Sequence, residues 1–155
     1  MSRYAAGTSV SVDRSIVQIR QLVMRFGADK FAIATGRKTA TVAFAYKGRP
    51  VKFDLSLPDQ DDPTFQVTET GRPRRNAAAP LQAWERACRE KWRSLHLLLK
   101  ALFVAIEEGL LDFDRAFMHD IVMPDGRTVG QKLLPVVQDA VSRGDVGAQL
   151  LLTNS

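Results

Sequence analysis

Hydrophobic positions along the chain change their spacing twice. In residues 11–27, "SVDRSIVQIRQLVMRFG", Val12, Ile16, Ile19, Val23 and Phe26 recur at three- and four-residue steps, which predicts one apolar stripe on a helix. Ser11 or Asp13 offers the side-chain oxygen that caps the first turn; Arg14, Gln18, Gln21 and Arg25 take the wet side; Gly27 ends the helix in a left-handed conformation. Beyond it the period falls to two. Phe31 and Ile33, then Val42, Phe44 and Tyr46, then Val51, Phe53, Leu55 and Leu57 alternate with small or polar residues, as half-buried strands require. The breaks "GRK" at 36–38 and "KG" at 47–48 are short enough for hairpin turns, so the strands form an antiparallel meander. Its outward positions are Thr41, Ala43, Ala45, Lys52, Asp54 and Ser56.

Residues 58–80, "PDQDDPTFQVTETGRPRRNAAAP", follow neither period and hold Pro58, Pro63, Pro73 and Pro80, which predicts a long mobile linker. Helical spacing returns from Leu81 through Trp84, Cys88, Trp92, Leu95, Leu99, Leu102, Phe103 and Ile106 to Gly109. This predicts a helix over 81–108, roughly 40 Å long at 1.5 Å per residue. Both tryptophans are in register with its buried stripe. Its second half, with Leu97, Leu98 and Val104, is apolar on most sides and calls for cover from two directions. Residues 110–145 read as a helical tail that closes the core: a short helix with Phe113, Phe117 and Ile121 inward, a turn at "MPDGRTVG", and a last helix that Pro135 kinks or restarts. The fold class is therefore α+β, one domain over residues 1–155: an N-terminal helix, a three-stranded meander, a long helix packed on the sheet and a small helical tail.

A 155-residue chain with 45% hydrophobic and 25% charged residues can bury a real core. One cysteine, Cys88, excludes an internal disulfide framework and fits a reducing cytoplasm. The N-terminal stretch lacks the apolar segment of a secretory signal, and "LLLKALFVAI" is about half a membrane span, which predicts a cytoplasmic protein with no membrane partner.

Charge changes the picture more. Residues 1–57 carry ten Lys/Arg against three acids, 58–80 three against four, and 81–100 five against two. Residues 101–155 reverse the sign, four against eight. A basic first two-thirds favours an anionic partner, nucleic acid above all. The candidate phosphate contacts are Arg37 and Lys38 in the first turn, Lys47 and Arg49 around the second, Lys52 on the outward sheet face, and Arg72, Arg74 and Arg75 in the linker.

Catalytic patterns are missing. His119–Asp120 lacks the further histidines of a metal phosphohydrolase, and the acids Glu107, Glu108, Asp112 and Asp114 lack the spacing of a calcium loop. No phosphate-binding glycine loop or nucleophile elbow is present. The expectation is a non-enzymatic protein without metal or cofactor.

The stretch "WERACREKWRSLHLLLKALFVAIEEGLLDFDRAFMHDIVMPDGRTVGQKL" resembles the C-terminal half of small proteins found in tailed-phage and prophage genomes, which share the W-R-x-L segment and the "PDGRTVG" turn. The likeness extends through "VKFDLSLPDQDD" and "TGRPRRN", over about residues 12–135. It implies a factor acting in the host cytoplasm during infection, in DNA replication, recombination or interference with host defences, and it carries over no catalytic residue. The element order also resembles that of RecT-type single-strand annealing proteins, which implies single-stranded DNA as partner and self-assembly. The alternative is a phage-encoded factor that binds a host protein through the long apolar helix and acidic tail. A homo-oligomer, through that helix or an outer strand, is expected because a three-stranded sheet cannot wholly bury the apolar half of the helix and a meander leaves two strand edges open.

Overall fold

A computed structural model describes residues 5–144; position 145 of the expected tail and the terminal stretches lie outside the described residues. Helix α1 is Val12–Phe26, followed by strands β1 Lys30–Thr35, β2 Thr39–Tyr46 and β3 Arg49–Ser56. Helices α2 Ala79–Glu107, α3 Phe113–Phe117 and α4 Val129–Ser142 complete the described residues, with short 3₁₀ turns at Pro63–Gln66 and Met118–Asp120.

The sheet has order β1-β2-β3 and is antiparallel throughout. Period-two residues sort as their chemistry demands: Ala40, Val42, Phe44, Val51 and Phe53 face the core. On the opposite face Ala32 pairs with Ala43 and Ala43 with Lys52, while Lys30 pairs with Ala45 and Ala45 with Pro50. Lys47 and Gly48 have φ of 47° and 76°, the left-handed pair that a two-residue hairpin needs to match strand twist.

Ser11 caps α1, its hydroxyl accepting from the Arg14 amide at 3.2 Å, and Gly27 closes it at φ 114°. Ile19 and Val23 bury the α1 stripe; Val12, Ile16 and Phe26 pack at its margins. Helix α2 starts two residues before the expected position and lies alongside α1, where Arg93 donates to Gln18 at 2.7 Å. Trp92, Leu95, Leu99 and Phe103 form its buried stripe. It reaches the sheet through Phe103, whose ring centroid is 6.2 Å from that of Phe44. Trp84 is half-buried, its indole N–H donating to the Pro58 carbonyl at 2.8 Å. Phe117, fully buried, meets Phe44 edge-on at 5.5 Å and Phe53 at 6.2 Å, so α3 seals one end of the core.

The 58–80 segment, expected as a mobile linker, follows a defined path along α2. Asp62 caps the first 3₁₀ turn, Val67 bridges to Pro73, and the Arg74 side chain donates to the Phe65 carbonyl at 3.0 Å.

Two expectations need correction. The meander was expected to leave both edges open, but Val51 of β3 bridges to Ile121, and the Val122 amide donates to the Pro50 carbonyl at 2.8 Å. The β3 edge is thus partly covered by the chain after α3. The tail was expected to close the core as a whole; α3 does so, but α4 does not. Helix α4 is one continuous helix through Pro135, held at its start by the Thr128–Gln131 capping box and by Gly130, which is buried. Beyond that point Leu133, Leu134, Val136, Val137 and Val141 are all about half-exposed or more. Among the described residues no helix is long and apolar enough to cross a membrane.

Candidate nucleic-acid interface

Because consecutive turns of a meander lie at opposite ends, the candidate cations cannot converge on one groove. Strand β2 is eight residues long, so the two turns stand roughly 25 Å apart at ~3.3 Å per residue. Arg37 and Lys38 occupy the first turn, and each has an acidic partner from the segment after β3. Arg37 meets Asp61 at 3.2 Å and Lys38 meets Asp59 at 2.5 Å. The hydrogen bond from Lys38, with the Asp61 amide behind it, holds the Asp59 carboxyl below the usual carboxylate range. At the other end the Lys47 ammonium sits 5.2 Å from the Tyr46 ring centroid, and Arg49 is ion-paired with Asp114 of α3. Arg74 is turned into its own segment, whereas Arg72 and Arg75 are exposed there. Lys52 alone of the eight lies on the outward sheet face, 3.5 Å from Asp54.

That face is concave near the β2–β3 turn. A trough of about 690 Å³ runs there over Ala32, Ala43, Ala45 and Pro50, with Val122 on one side and Met24 on the other. Lys52, Lys30 and Arg20 line it, against one acid, Asp29. Arg20 and Lys30 have no ion-pair partner among the described residues. The small floor follows from sequence: alanines alternate with Phe31, Val42 and Phe44, so the face opposite the core has no side chain to fill it.

Arg20 and Lys30 are thus positively charged residues that the sequence pattern did not select. Lys30 was accessible in principle, since it falls in the outward set once Phe31 is placed inward. Arg20 was not, because its nearness to the sheet depends on how α1 crosses under β1.

Two of the four acids considered for a metal are otherwise engaged. Asp112 caps α3, accepting from the Arg115 amide at 2.8 Å, and Asp114 pairs with Arg49. Among the described residues no group of three or more His, Cys, Asp or Glu side chains is placed to hold an ion. His119 contacts Asp120 at 3.1 Å, and a β-carbon on Gly130 would overlap its ring, so the imidazole serves as the seat of α4. Cys88 is half-buried, and burial, helped by Glu85, raises its thiol pKa, the opposite of nucleophile activation. No protein family, curated protein or solved structure matches this chain.

Proposed function

We propose that the protein binds nucleic acid without catalysing a reaction, and that it holds a single strand across the outward face of the meander, in the service of phage DNA replication or recombination. The observation that carries this reading is the trough: Lys30, Lys52 and Arg20 around a floor of Ala32, Ala43, Ala45 and Pro50. Cations lining one trough can neutralise phosphates and release their counterions. The apolar floor accepts base faces without a hydrogen-bonding pattern, which suits binding that tolerates sequence. Among the described residues no helix or ribbon rises from this face to enter a duplex groove, so a single strand is the better fit.

Fluorescence anisotropy with labelled single-stranded and duplex oligonucleotides at two salt concentrations tests it. Saturable, salt-sensitive binding that prefers the single strand is expected. The triple change Arg20→Ala, Lys30→Ala, Lys52→Ala should weaken it and flatten the log–log salt slope by about 0.7 for each phosphate no longer neutralised. An absence of saturable binding at low salt overturns the reading.

A second reading rests on α4. Its Val129, Leu133, Leu134, Val136, Val137, Ala140 and Val141 share one side of the helical wheel, and little of that side is covered. An exposed apolar face of this kind is the mark of a protein-binding helix, and a host protein would be its target. Capture of a stoichiometric protein from nuclease-treated host lysate by the full chain, abolished by Val137→Asp, would favour this reading over the first.

A further inference from the structure

The two ends of the core are closed differently. At the end by the β2–β3 turn, Phe113 and Phe117 of α3 fill the space under the sheet. At the end by the β1–β2 turn, a cavity of about 430 Å³ remains between the start of α1, the first half of α2 and that turn. Its walls are Ile16, Leu57, Trp84, Cys88 and Trp92. All but Trp92 are only half-buried, although each falls on the apolar period of its own segment. A cavity of this size, with apolar and aromatic walls and a few polar groups, is of the kind that encloses a small molecule.

Two of its polar groups lack partners, one deep and one at the mouth. Trp92 is 2% exposed, and its indole N–H makes no hydrogen bond among the described residues. That N–H is not sealed from solvent as the unpaired Ser15 hydroxyl and His96 Nδ1 are, and the space that Trp92 lines is this cavity. A donor held there without a partner favours any guest that brings it an acceptor. The Trp84 N–H, by contrast, is engaged by the Pro58 carbonyl at 2.8 Å, so Trp84 offers the cavity only its apolar ring. At the mouth stand Asp13 and Arg37. Arg37 meets Asp61 at 3.2 Å, whereas Asp13, exposed in the first turn of α1, has no ion-pair partner among the described residues. The uncancelled charge at the mouth is therefore negative.

We propose that this cavity binds a small aromatic amine. Its flat ring lies against Trp84 and Cys88, an oxygen on the ring accepts from the Trp92 N–H, and its ammonium stays at the mouth beside Asp13. The Trp92 donor selects against a plain hydrocarbon ring, and Asp13 selects against the same ring without a positive charge. The cavity lies on the helical side of the sheet and at the opposite end from the trough, so it is independent of the nucleic-acid reading.

Tyramine supplies that chemistry and serves as the probe. Both tryptophans and the one cysteine of the chain line the cavity, so occupancy has two reporters. Tyramine added to the full chain should change tryptophan emission saturably and slow alkylation of Cys88 with the same midpoint. Phenethylamine, which lacks the ring oxygen, and p-cresol, which lacks the ammonium, should each bind more weakly by about threefold or more. Trp92→Phe should remove the advantage of tyramine over phenethylamine, and Asp13→Asn its advantage over p-cresol. Should Trp92→Phe fail to fold, Asp13→Asn carries the test, since that side chain is exposed. No saturable change at millimolar tyramine, equal affinity for the three compounds, or an advantage over p-cresol that survives Asp13→Asn each overturns the proposal.

Discussion

Lys38 reaches Asp59 across 2.5 Å, and next to it Arg37 meets Asp61. The segment after β3 thus lays two carboxylates where the first turn would otherwise offer two cations to phosphates. The Arg37–Asp61 pair is largely exposed and the Lys38–Asp59 pair partly so, so solvent and salt screen them and a polyanion can displace them.

The double change Asp59→Asn, Asp61→Asn should therefore tighten oligonucleotide binding. The salt slope should steepen by about 0.7 per phosphate newly engaged, read by anisotropy at two salt concentrations. An unchanged slope would place the first turn outside the binding face and leave the trough to act alone.

His96 sits half-buried on α2, its Nδ1 without a hydrogen-bond partner. Burial, with Arg93 and Lys100 adding to it, pushes its pKa below the usual histidine range. An unfolded chain takes up that proton near pH 6.5, whereas the folded one resists it. More protons bound in the unfolded state means that stability is full above about pH 6.5 and falls as pH drops below it, until the folded pKa is reached. Melting temperature followed from pH 7.5 down to 5.5 should fall more steeply for the wild type than for His96→Gln.

Ser15 is fully buried, and its hydroxyl has no hydrogen-bond partner. It lies on the buried line of α1 with Ile19 and Val23. An unpaired buried hydroxyl is a net cost, and alanine keeps nearly the same volume while raising helix propensity. Ser15→Ala should stabilise the protein by about 1 kcal/mol, or roughly 2–4 °C in melting temperature for a chain of this size. A loss of stability would mean that the hydroxyl has a partner, such as an ordered water.

The architecture was legible because its elements declare themselves locally. The α1 stripe, the alternation from Phe31 to Leu57 and the Trp92–Phe103 spacing each have one periodic solution. What could not be read depended on relationships between elements. Arg49 looked available until α3 brought Asp114 to it, and Lys38 until the chain after β3 returned with Asp59. Likewise Lys30 became part of a trough only when the sheet register set it beside Ala45 and Pro50. Helix α4 reads as core-forming by pattern alone, since amphipathicity reports that a face needs cover without saying whether this chain supplies it.

That distinction gives the last prediction. Val137 and Phe117 are both apolar helical residues of the C-terminal third, yet the first is 54% exposed and the second 0%. Phe117→Ala should cost about 3–5 kcal/mol, because it opens a cavity between Phe44, Phe53 and Phe103. Val137→Asp should change stability by no more than about 0.5 kcal/mol, as for other surface positions. Thr128→Ala falls between them at about 1 kcal/mol, since it removes the cap that starts α4. Denaturant titrations of the three variants rank them. If Val137→Asp instead destabilises as strongly as Phe117→Ala, and does so in proportion to protein concentration, the α4 face is buried in an assembly on which folding depends. A large loss independent of concentration would mean that the chain itself covers α4.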